Sequence, residues 1–398
     1  MKSQRRPINP VAVLLFIPCL LGMVASAQSL PAPRVLDISA ADGTKLKATY
    51  FGAGRPGPGV LLLHQCNRQR KVWDGLAQQL AAAGINVVTL DYRGFGESGG
   101  DRFDKLPQGA AAQVIAEKWP GDIDTAFQYL TSQPGVQHDV IGVGGASCGV
   151  NNSVQTARRH SEVKSLVLLP GSTDLAGRQF LRISKLPTLF SVADDDEFPP
   201  TVQVIEWLFT ITPNPGKKLL HYANGGHGAD MFPVHPELPA KIVDWYTTTL
   251  IKTPGSAPVT TDAPVIPPEI HTLDLIDQPG GAAKVAEMLE GARHRDPKAT
   301  LFSEAVANFV GYEHLQSGDT KGAVEILRLN AVAYPESPNV YDSLADAYLA
   351  NGQKDLARQN AKKALEYLAS DTTDPEARRK GIKDSAEQKL QQLGDTPH

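Results

Sequence analysis

The segment 145–149 (GASCG) places Ser147 between two glycines. It follows the apolar segment Val140–Gly144 and precedes a segment of helical composition that begins near Val150. Between a strand and a helix, this G-x-S-x-G pattern predicts a tight turn that exposes a nucleophilic serine, because glycine tolerates the backbone angles of such a turn. A serine hydroxyl is a weak nucleophile by itself, so the chemistry needs a base nearby.

Candidates for the base and for its partner acid follow in the chain. The apolar segment Pro187–Ala193 ends in three consecutive aspartates, Asp194, Asp195 and Asp196. His227 lies further on, in a glycine-rich loop. The order serine, acid, histidine is one of the known orders of a Ser-His-Asp triad. In such a triad the histidine takes the serine proton, and the carboxylate fixes the tautomer of the imidazole.

Apolar strands that alternate with helices are expected to position these side chains. This alternation predicts a parallel sheet covered by helices on both faces. Two alternating strands within residues 34–51, joined by the turn Asp42-Gly43, precede it. The predicted strands are Val60–His64, Asn86–Asp91, Val140–Gly144, Ser165–Leu169, Thr188–Ala193 and Lys218–Tyr222, and the predicted helices are Trp73–Ala83, Ile123–Ser132 and Ala240–Leu250.

The composition of the chain changes after residue 252. Residues 253–268 are rich in Pro, Thr and Ser, which predicts a semi-extended linker. Residues 269–398 show helical patterns, and a shift of 34 residues pairs Leu315 with Leu349, Gly318 with Gly352 and Ala323 with Ala357. Because the tetratricopeptide repeat (TPR) has this period, we predict a small TPR-like helical domain. Helices near 281–293 and 375–393 are expected to cap the repeats.

Residues 34–252 resemble the α/β-hydrolase superfamily, in particular its dienelactone-hydrolase-like and alpha/beta serine hydrolase members, and we predict a catalytic domain over residues 31–252. The matching segments are 61–64 (LLLH), 90–98 (LDYRGFGES), 145–149 (GASCG), the three aspartates and 226–228 (GHG). Dienelactone hydrolases carry a cysteine nucleophile where this chain has Ser147, so the serine-esterase branch is the better comparison. The resemblance implies an α/β-hydrolase fold, with a mostly parallel central sheet and helices on both of its faces.

The resemblance also implies roles for individual residues. Counted from Pro187 without gaps, the family pattern makes Asp196 the triad acid beside Ser147 and His227, with Asp195 and then Asp194 as alternatives. The oxyanion hole is expected to consist of backbone N–H groups of Cys148 and Cys66.

Gln65 is the alternative donor to Cys66, and it stands where most relatives have glycine. Cys66 and Cys148 should then lie near each other, and both a disulfide and two buried free thiols stay open. The sequence shows no metal-ligand spacing among its histidines and no cofactor motif, so we expect neither a metal nor a cofactor.

The N-terminus has the pattern of a secretory signal peptide. Residues 1–10 carry three bases and no acid, residues 11–24 are almost wholly apolar, and Ala25-Ser26-Ala27 follows. The apolar run is short of the roughly 20 residues that span a bilayer, which favours cleavage near Ala27 over an uncleaved anchor. We therefore predict an exported protein, periplasmic or secreted, with residues 1–27 as the signal peptide and no stable membrane insertion after cleavage.

The composition of the chain excludes several classes of protein. With 39 basic and 43 acidic side chains among 398 residues, it lacks the basic excess of nucleic-acid-binding proteins. Its hydrophobic content of 41% is sufficient for a buried core, which argues against wholesale disorder.

These patterns lead to an expected function. The segment 102–118 is the only one long enough for a lid, and the insertion 170–185 is short. We therefore expect an open site and a serine hydrolase, specifically a carboxylic ester hydrolase, that acts on small or soluble acyl substrates. The alternatives are a peptidase or an acyltransferase with the same triad, or an interaction protein whose TPR-like tail binds a protein or peptide beside a catalytically silent domain.

Overall fold

The computed structural model describes Met1 and residues 30–198, 200–259 and 264–395. Residues 2–27 of the predicted signal peptide and residues 260–263 of the predicted linker lie outside these described residues. Within the described part of the chain, no helix is both long enough and apolar enough to cross a bilayer.

Eight strands form one mostly parallel sheet, in the order β1-β2-β4-β3-β5-β6-β7-β8 once numbered along the chain. They are β1 (Arg34–Ser39), β2 (Lys45–Phe51), β3 (Gly57–Leu63), β4 (Asn86–Leu90), β5 (Val136–Gly145), β6 (Val163–Leu168), β7 (Thr188–Ala193) and β8 (Lys218–Tyr222). Strand β2 pairs antiparallel with β1 and β4, and the five pairs from β4 to β8 are parallel. The carboxyl ends of the parallel strands therefore lie along one edge of the sheet, where the loops after β3, β5, β7 and β8 begin.

Helices cover both faces of this sheet. They are α1 (Asp74–Ala82), α2 (Gln108–Gln113), α3 (Trp119–Thr131), α4 (Cys148–Arg159), α5 (Leu175–Ile183), α6 (Thr201–Ile211), α7 (Met231–Val234) and α8 (Glu237–Tyr246). Because successive side chains of a strand point to opposite faces, Val60 and Leu62 of β3 pack in the cluster with α1 and α8. Leu61 and Leu63 pack in the cluster with α3 and α4.

Two helix boundaries differ from the predicted ones. Helix α3 begins at Trp119 instead of Ile123, with Pro120 in its first turn, a position where proline is well tolerated. The last predicted helix, Ala240–Leu250, is α8 followed by a wider helical turn over Thr247–Lys252. The segment 102–118 forms short helical turns that lead into α3.

In the C-terminal region, the described residues 264–395 form helices and no strands. They are α9 (Pro268–Ile276), α10 (Gly281–Arg293), α11 (Glu304–Gln316), α12 (Thr320–Ala333), α13 (Pro338–Ala350), α14 (Lys354–Ser370) and α15 (Glu376–Gln392). Helices α10 and α15 occupy the segments in which capping helices were expected. Side chains of α9 to α12 belong to the same hydrophobic cluster as α6, so this region packs against the sheet domain. The assignment of these helices as tetratricopeptide repeats, and of residues 269–398 as a domain, stays a prediction.

A buried charged network joins the two regions. Arg178 of α5 donates to Asp277, which follows α9, over 2.8 Å from Nη2 and 3.1 Å from Nε. Their side chains are only 1% and 2% exposed. His314 of α11 contacts the same Asp277 oxygen through Nε2 at 3.2 Å and Asp319 through Nδ1 at 2.8 Å. Burial lowers the pKa of His314, but the hydrogen bonds to the two carboxylates outweigh burial and raise the pKa overall.

Candidate active site

Ser147 occupies the turn between the end of β5 and the start of α4. Its backbone angles are φ 55° and ψ −123°, and among the described residues it is the only non-glycine with a positive φ. Such a conformation costs on the order of 1–3 kcal/mol and persists only where surrounding contacts hold it. Two backbone hydrogen bonds do so: the Ser147 N–H donates to the Pro170 carbonyl over 2.7 Å, and the Val150 N–H donates to the Ser147 carbonyl over 2.8 Å.

Close backbone approaches explain the glycines on both sides of this turn. A Cβ atom at Gly145 would lie 2.0 Å from the Gly149 carbonyl oxygen, and one at Gly149 would lie 2.2 Å from the Leu63 carbonyl oxygen. Gly171 has a similar role, since a Cβ atom there would lie 2.5 Å from the Ser147 carbonyl oxygen. The pattern G-x-S-x-G is therefore a packing requirement of the strand–turn–helix geometry at this position.

His227 and Asp196 are hydrogen-bonded to each other. The His227 Nδ1 atom lies 2.8 Å from Asp196 Oδ2, and the two side chains are 5% and 0% exposed. The other oxygen of Asp196 accepts a hydrogen bond of 2.9 Å from the Phe198 N–H. Because an ionised carboxylate only accepts, the contact puts a proton on Nδ1 and leaves Nε2 able to act as a base.

The three consecutive aspartates have three different partners. Asp194 Oδ1 lies 2.6 Å from His221 Nε2 on the surface, and Asp195 Oδ1 accepts a hydrogen bond of 2.8 Å from the Gly226 N–H. Both side chains are exposed, whereas that of Asp196 is buried against the imidazole. The geometry thus favours Asp196 as the partner of His227, and Asp195 supports the loop that carries the histidine.

The loop after β3 contacts both the histidine loop and the serine turn. The buried Gln65 side chain accepts a hydrogen bond of 2.8 Å from the Ala229 N–H through Oε1. Its Nε2 donates over 3.3 Å to Asp230. The next residue, Cys66, forms a disulfide with Cys148, and their Cα atoms are 5.8 Å apart. The two predicted oxyanion-hole residues are therefore neighbours. Of the two alternatives for these cysteines, a disulfide or two buried free thiols, the structure contains the disulfide.

His64 is a structural residue in this arrangement. Its Nδ1 donates to the Gln65 carbonyl at 2.7 Å, and its Nε2 accepts from the Tyr92 N–H at 3.2 Å. Burial lowers the pKa of His64 to about 4, so the ring is neutral near pH 7. With both ring nitrogens engaged, His64 holds the loop after β3 against the turn after β4.

Sequence reasoning missed three features of the site. One is the contact of Gln65 with the histidine loop. A second is Phe198, whose ring centroid lies 4.6 Å from that of His227 in an edge-on arrangement. The third is a fully buried ion pair between Arg70 and Asp91, which ties the loop after β3 to the turn after β4. The motif 90–98 contained Asp91, but nothing in the sequence identifies Arg70 as its partner.

The site contains no group of side chains suited to a metal. Within the described residues, no cluster of three or more His, Cys, Asp or Glu side chains could hold a metal ion. The side chains described above offer a hydroxyl, an imidazole and a carboxylate.

Comparisons with known proteins agree with this architecture. Residues 54–174 match the sequence family described as serine aminopeptidase, S33. An uncharacterized protein of Mycobacterium tuberculosis is 35% identical over 120 residues, which are 28% of this chain and 41% of that protein. A thiohydrolase of Aspergillus aculeatus is 27% identical over 129 residues, which are 32% of this chain and 37% of that protein. The chain thus spans about two fifths of the length of these curated relatives.

Solved structures give similar but distant matches. An esterase of Pyrococcus furiosus has a TM-score of 0.46 at 17% identity, covering 55% of this chain and 91% of that one. Est1E of Butyrivibrio proteoclasticus, solved with bound ferulic acid, has a TM-score of 0.45 at 18% identity, covering 55% of this chain and 100% of that one. The sheet of β1 to β8 with its covering helices, together with the match over 54–174, gives the sheet domain the α/β-hydrolase fold that the sequence predicted.

Proposed function

We propose that this chain is a serine hydrolase that cleaves carboxylic esters, with Ser147 as nucleophile, His227 as base and Asp196 as the acid that orients it. The observation that carries the proposal is the buried hydrogen bond between Asp196 and His227. It is supported by the positive φ of Ser147 at the turn between β5 and α4. Backbone strain of this kind clusters at functional positions, where the surrounding structure holds a residue in a conformation that the chemistry uses.

The proposed reaction proceeds through an acyl-enzyme intermediate. His227 Nε2 takes the proton of the Ser147 hydroxyl as the oxygen attacks the ester carbonyl. The carbonyl oxygen becomes an oxyanion, which accepts hydrogen bonds from the backbone N–H groups of Cys148 and Cys66. The imidazolium, stabilised by Asp196, then gives its proton to the departing alcohol, which leaves an acyl group on Ser147. In the second half of the reaction, His227 takes a proton from a water molecule as the water attacks the acyl carbonyl. The proton then passes to the Ser147 oxygen as the carboxylic acid leaves.

The elements around the site support small or soluble acyl substrates. The insertion after β6 contributes one nine-residue helix, α5, which packs on α4. The segment 102–118 contributes short helical turns and no long cap. A site without a large cap admits short acyl groups and offers little apolar surface to bury a long lipid chain.

Hydrolysis of short-chain nitrophenyl esters tests the proposal directly. Ser147→Ala removes the nucleophile and should lower kcat by at least about 10⁴-fold. Ser161→Ala, at an exposed turn after α4, is the matched control and should retain wild-type turnover. A fluorophosphonate probe should label wild type and the control but not Ser147→Ala. Undiminished hydrolysis in Ser147→Ala would refute the assignment.

A peptidase is the second candidate, and the match of residues 54–174 to the serine aminopeptidase family supports it. The triad would be the same, and the leaving group would be an amine instead of an alcohol. Aminoacyl nitroanilides and the corresponding esters, assayed side by side, separate the two activities. An acyltransferase would show itself as product formed with an added alcohol or amine acceptor in excess of hydrolysis.

Export and the role of the helical region belong to the same proposal. The pattern of residues 1–27 supports export to the periplasm or the medium, and a disulfide is compatible with an oxidising compartment. We assign the TPR-like region a structural role first, because helices α9 to α12 share a hydrophobic cluster with α6. Binding of a protein or peptide by this region, with a silent hydrolase domain, would be favoured if the fluorophosphonate probe fails to label Ser147 in the folded protein.

A further inference from the structure

The disulfide between Cys66 and Cys148 joins two segments that are 82 residues apart in sequence. Cys66 lies in the loop after β3, and Cys148 is the first residue of α4, next to Ser147. The N–H groups in the first turn of a helix have no acceptor within the helix, so the Cys148 N–H is available to a ligand. The bond therefore connects the nucleophile turn to the loop that is expected to supply the second oxyanion donor.

Hydrogen bonds attach the loop after β3 to the loop that carries His227. Gln65 accepts from the Ala229 N–H at 2.8 Å and donates to Asp230 at 3.3 Å, so hydrogen bonds attach it to the histidine loop. Towards the serine turn, the Cys148 sulfur also lies 3.8 Å from the His64 carbonyl, a weak contact. Beyond Leu63, where the strand pairing ends, the disulfide connects this loop covalently to the first residue of α4.

We propose that the Cys66–Cys148 disulfide is a redox-sensitive positioning element for the oxyanion hole, so that the oxidised protein turns over ester and the reduced protein does so poorly. This inference rests on the proposed function. Oxyanion donors act only when they lie about 2.7–3.1 Å from the developing charge. A loop that has lost its covalent tether samples positions outside this range, and the transition state loses part of its stabilisation.

The redox step is a thiol–disulfide exchange. A dithiol reductant attacks one sulfur of the cystine, and the mixed disulfide then resolves as the reductant closes to its own cyclic disulfide. Two electrons and two protons pass from the reductant to the protein, which leaves thiols at Cys66 and Cys148. Both residues are half-buried, so a small reductant can reach the bond.

The test compares turnover of a short-chain nitrophenyl ester by oxidised and dithiol-reduced wild type, and by the double variant Cys66→Ser/Cys148→Ser. Loss of one oxyanion donor costs about 10²–10³ in rate, so partial misplacement should lower kcat about 10- to 100-fold. KM and the pH profile of kcat/KM, which reports on His227, should stay within about twofold, since the triad itself is untouched. Reoxidation with oxidised glutathione should restore the wild type, and the double variant should match the reduced wild type and ignore reductant.

The outcomes separate the inference from the proposed function. If the oxidised protein neither hydrolyses ester nor reacts with a fluorophosphonate at Ser147, the proposed function fails. If oxidised and reduced proteins turn over equally, the proposed function stands and the positioning role is refuted. A loss of turnover on reduction that comes with a lost circular-dichroism signal, or with a shifted pH profile, would also refute it, because the bond would then serve general stability.

Discussion

Replacing Asp196 by asparagine separates the role of its charge from that of its shape. Both oxygens of Asp196 are acceptors in the structure, one from His227 and the other from the Phe198 N–H. An asparagine of the same shape has one acceptor and one donor, so its NH₂ group must face one of these two N–H groups. The least costly adjustment moves the His227 proton to Nε2, and the ring then cannot accept the Ser147 proton.

The expected loss follows from this tautomer and from the missing charge beside the imidazolium. We expect Asp196→Asn to lower kcat about 10³- to 10⁴-fold, which corresponds to about 4–5.5 kcal/mol of transition-state free energy. Asp195→Asn keeps an acceptor for the Gly226 N–H and should stay within about threefold of wild type. Asp194→Asn affects an exposed pair with His221 and should be neutral within about twofold.

The assay is initial-rate hydrolysis of a nitrophenyl ester by the three variants at one pH, with thermal unfolding as a control for folding. The pattern expected is a large loss in Asp196→Asn alone, at nearly unchanged unfolding temperature. If Asp196→Asn keeps more than a tenth of the wild-type kcat, or if Asp195→Asn loses as much, the assignment of the triad acid is wrong.

Three further predictions concern side chains around the site and at the interface with the helices. Gln65→Ala leaves a buried N–H of the histidine loop unpaired and should cost about 1–3 kcal/mol in thermal or urea unfolding together with a lower kcat; unchanged values of both would contradict it. Asp277→Ala leaves the buried Arg178 only its longer contact with Glu313 at 3.4 Å and also removes a partner of Arg182 and His314. It should cost about 3–5 kcal/mol in urea unfolding, and a loss as small as that of an exposed ion pair would contradict this. Because the folded pKa of His314 is raised, the stability that wild type gains over His314→Gln should be full below about pH 6.5 and vanish as pH rises through the folded pKa; a gain that grows with pH would oppose this.

Most of the fold could be predicted because its signals are local. The apolar runs 60–64 and 86–91 alternate with amphipathic helices, and this periodicity alone indicates buried parallel strands. The serine turn could be predicted for the same reason, since the glycines that the backbone needs at positions 145 and 149 are adjacent to Ser147 in sequence. Helix ends were less accurate: α3 begins at Trp119, four residues before the predicted Ile123, and it continues directly from the helical turns of residues 108–118.

The pairings at the site lie beyond such signals because they join distant segments. The sequence offered three aspartates at the end of β7, and only the position of the buried imidazole distinguishes Asp196 from its neighbours. In the sequence, Gln65 stands where most α/β-hydrolases have glycine, and only its backbone N–H was considered, as an oxyanion-hole donor. In the structure its amide links that loop to the histidine loop, a role that depends on a contact across 164 residues.

Helix α5 links the helical region to α4, the helix that begins beside Ser147. A repeat pattern after a linker suggests a separable module, yet Arg178 lies in α5, and α5 packs on α4, the helix that begins beside Ser147. Gln155 of α4 also donates to Asp174, the cap residue of α5, over 2.8 Å. Because a buried partner of Arg178 is Asp277 of the helical region, we expect a change at that interface to affect α4 through α5. Asp277→Ala should therefore be assayed for ester turnover as well as stability, and a kcat that falls while the protein stays folded would mean that the helical region helps to position α4.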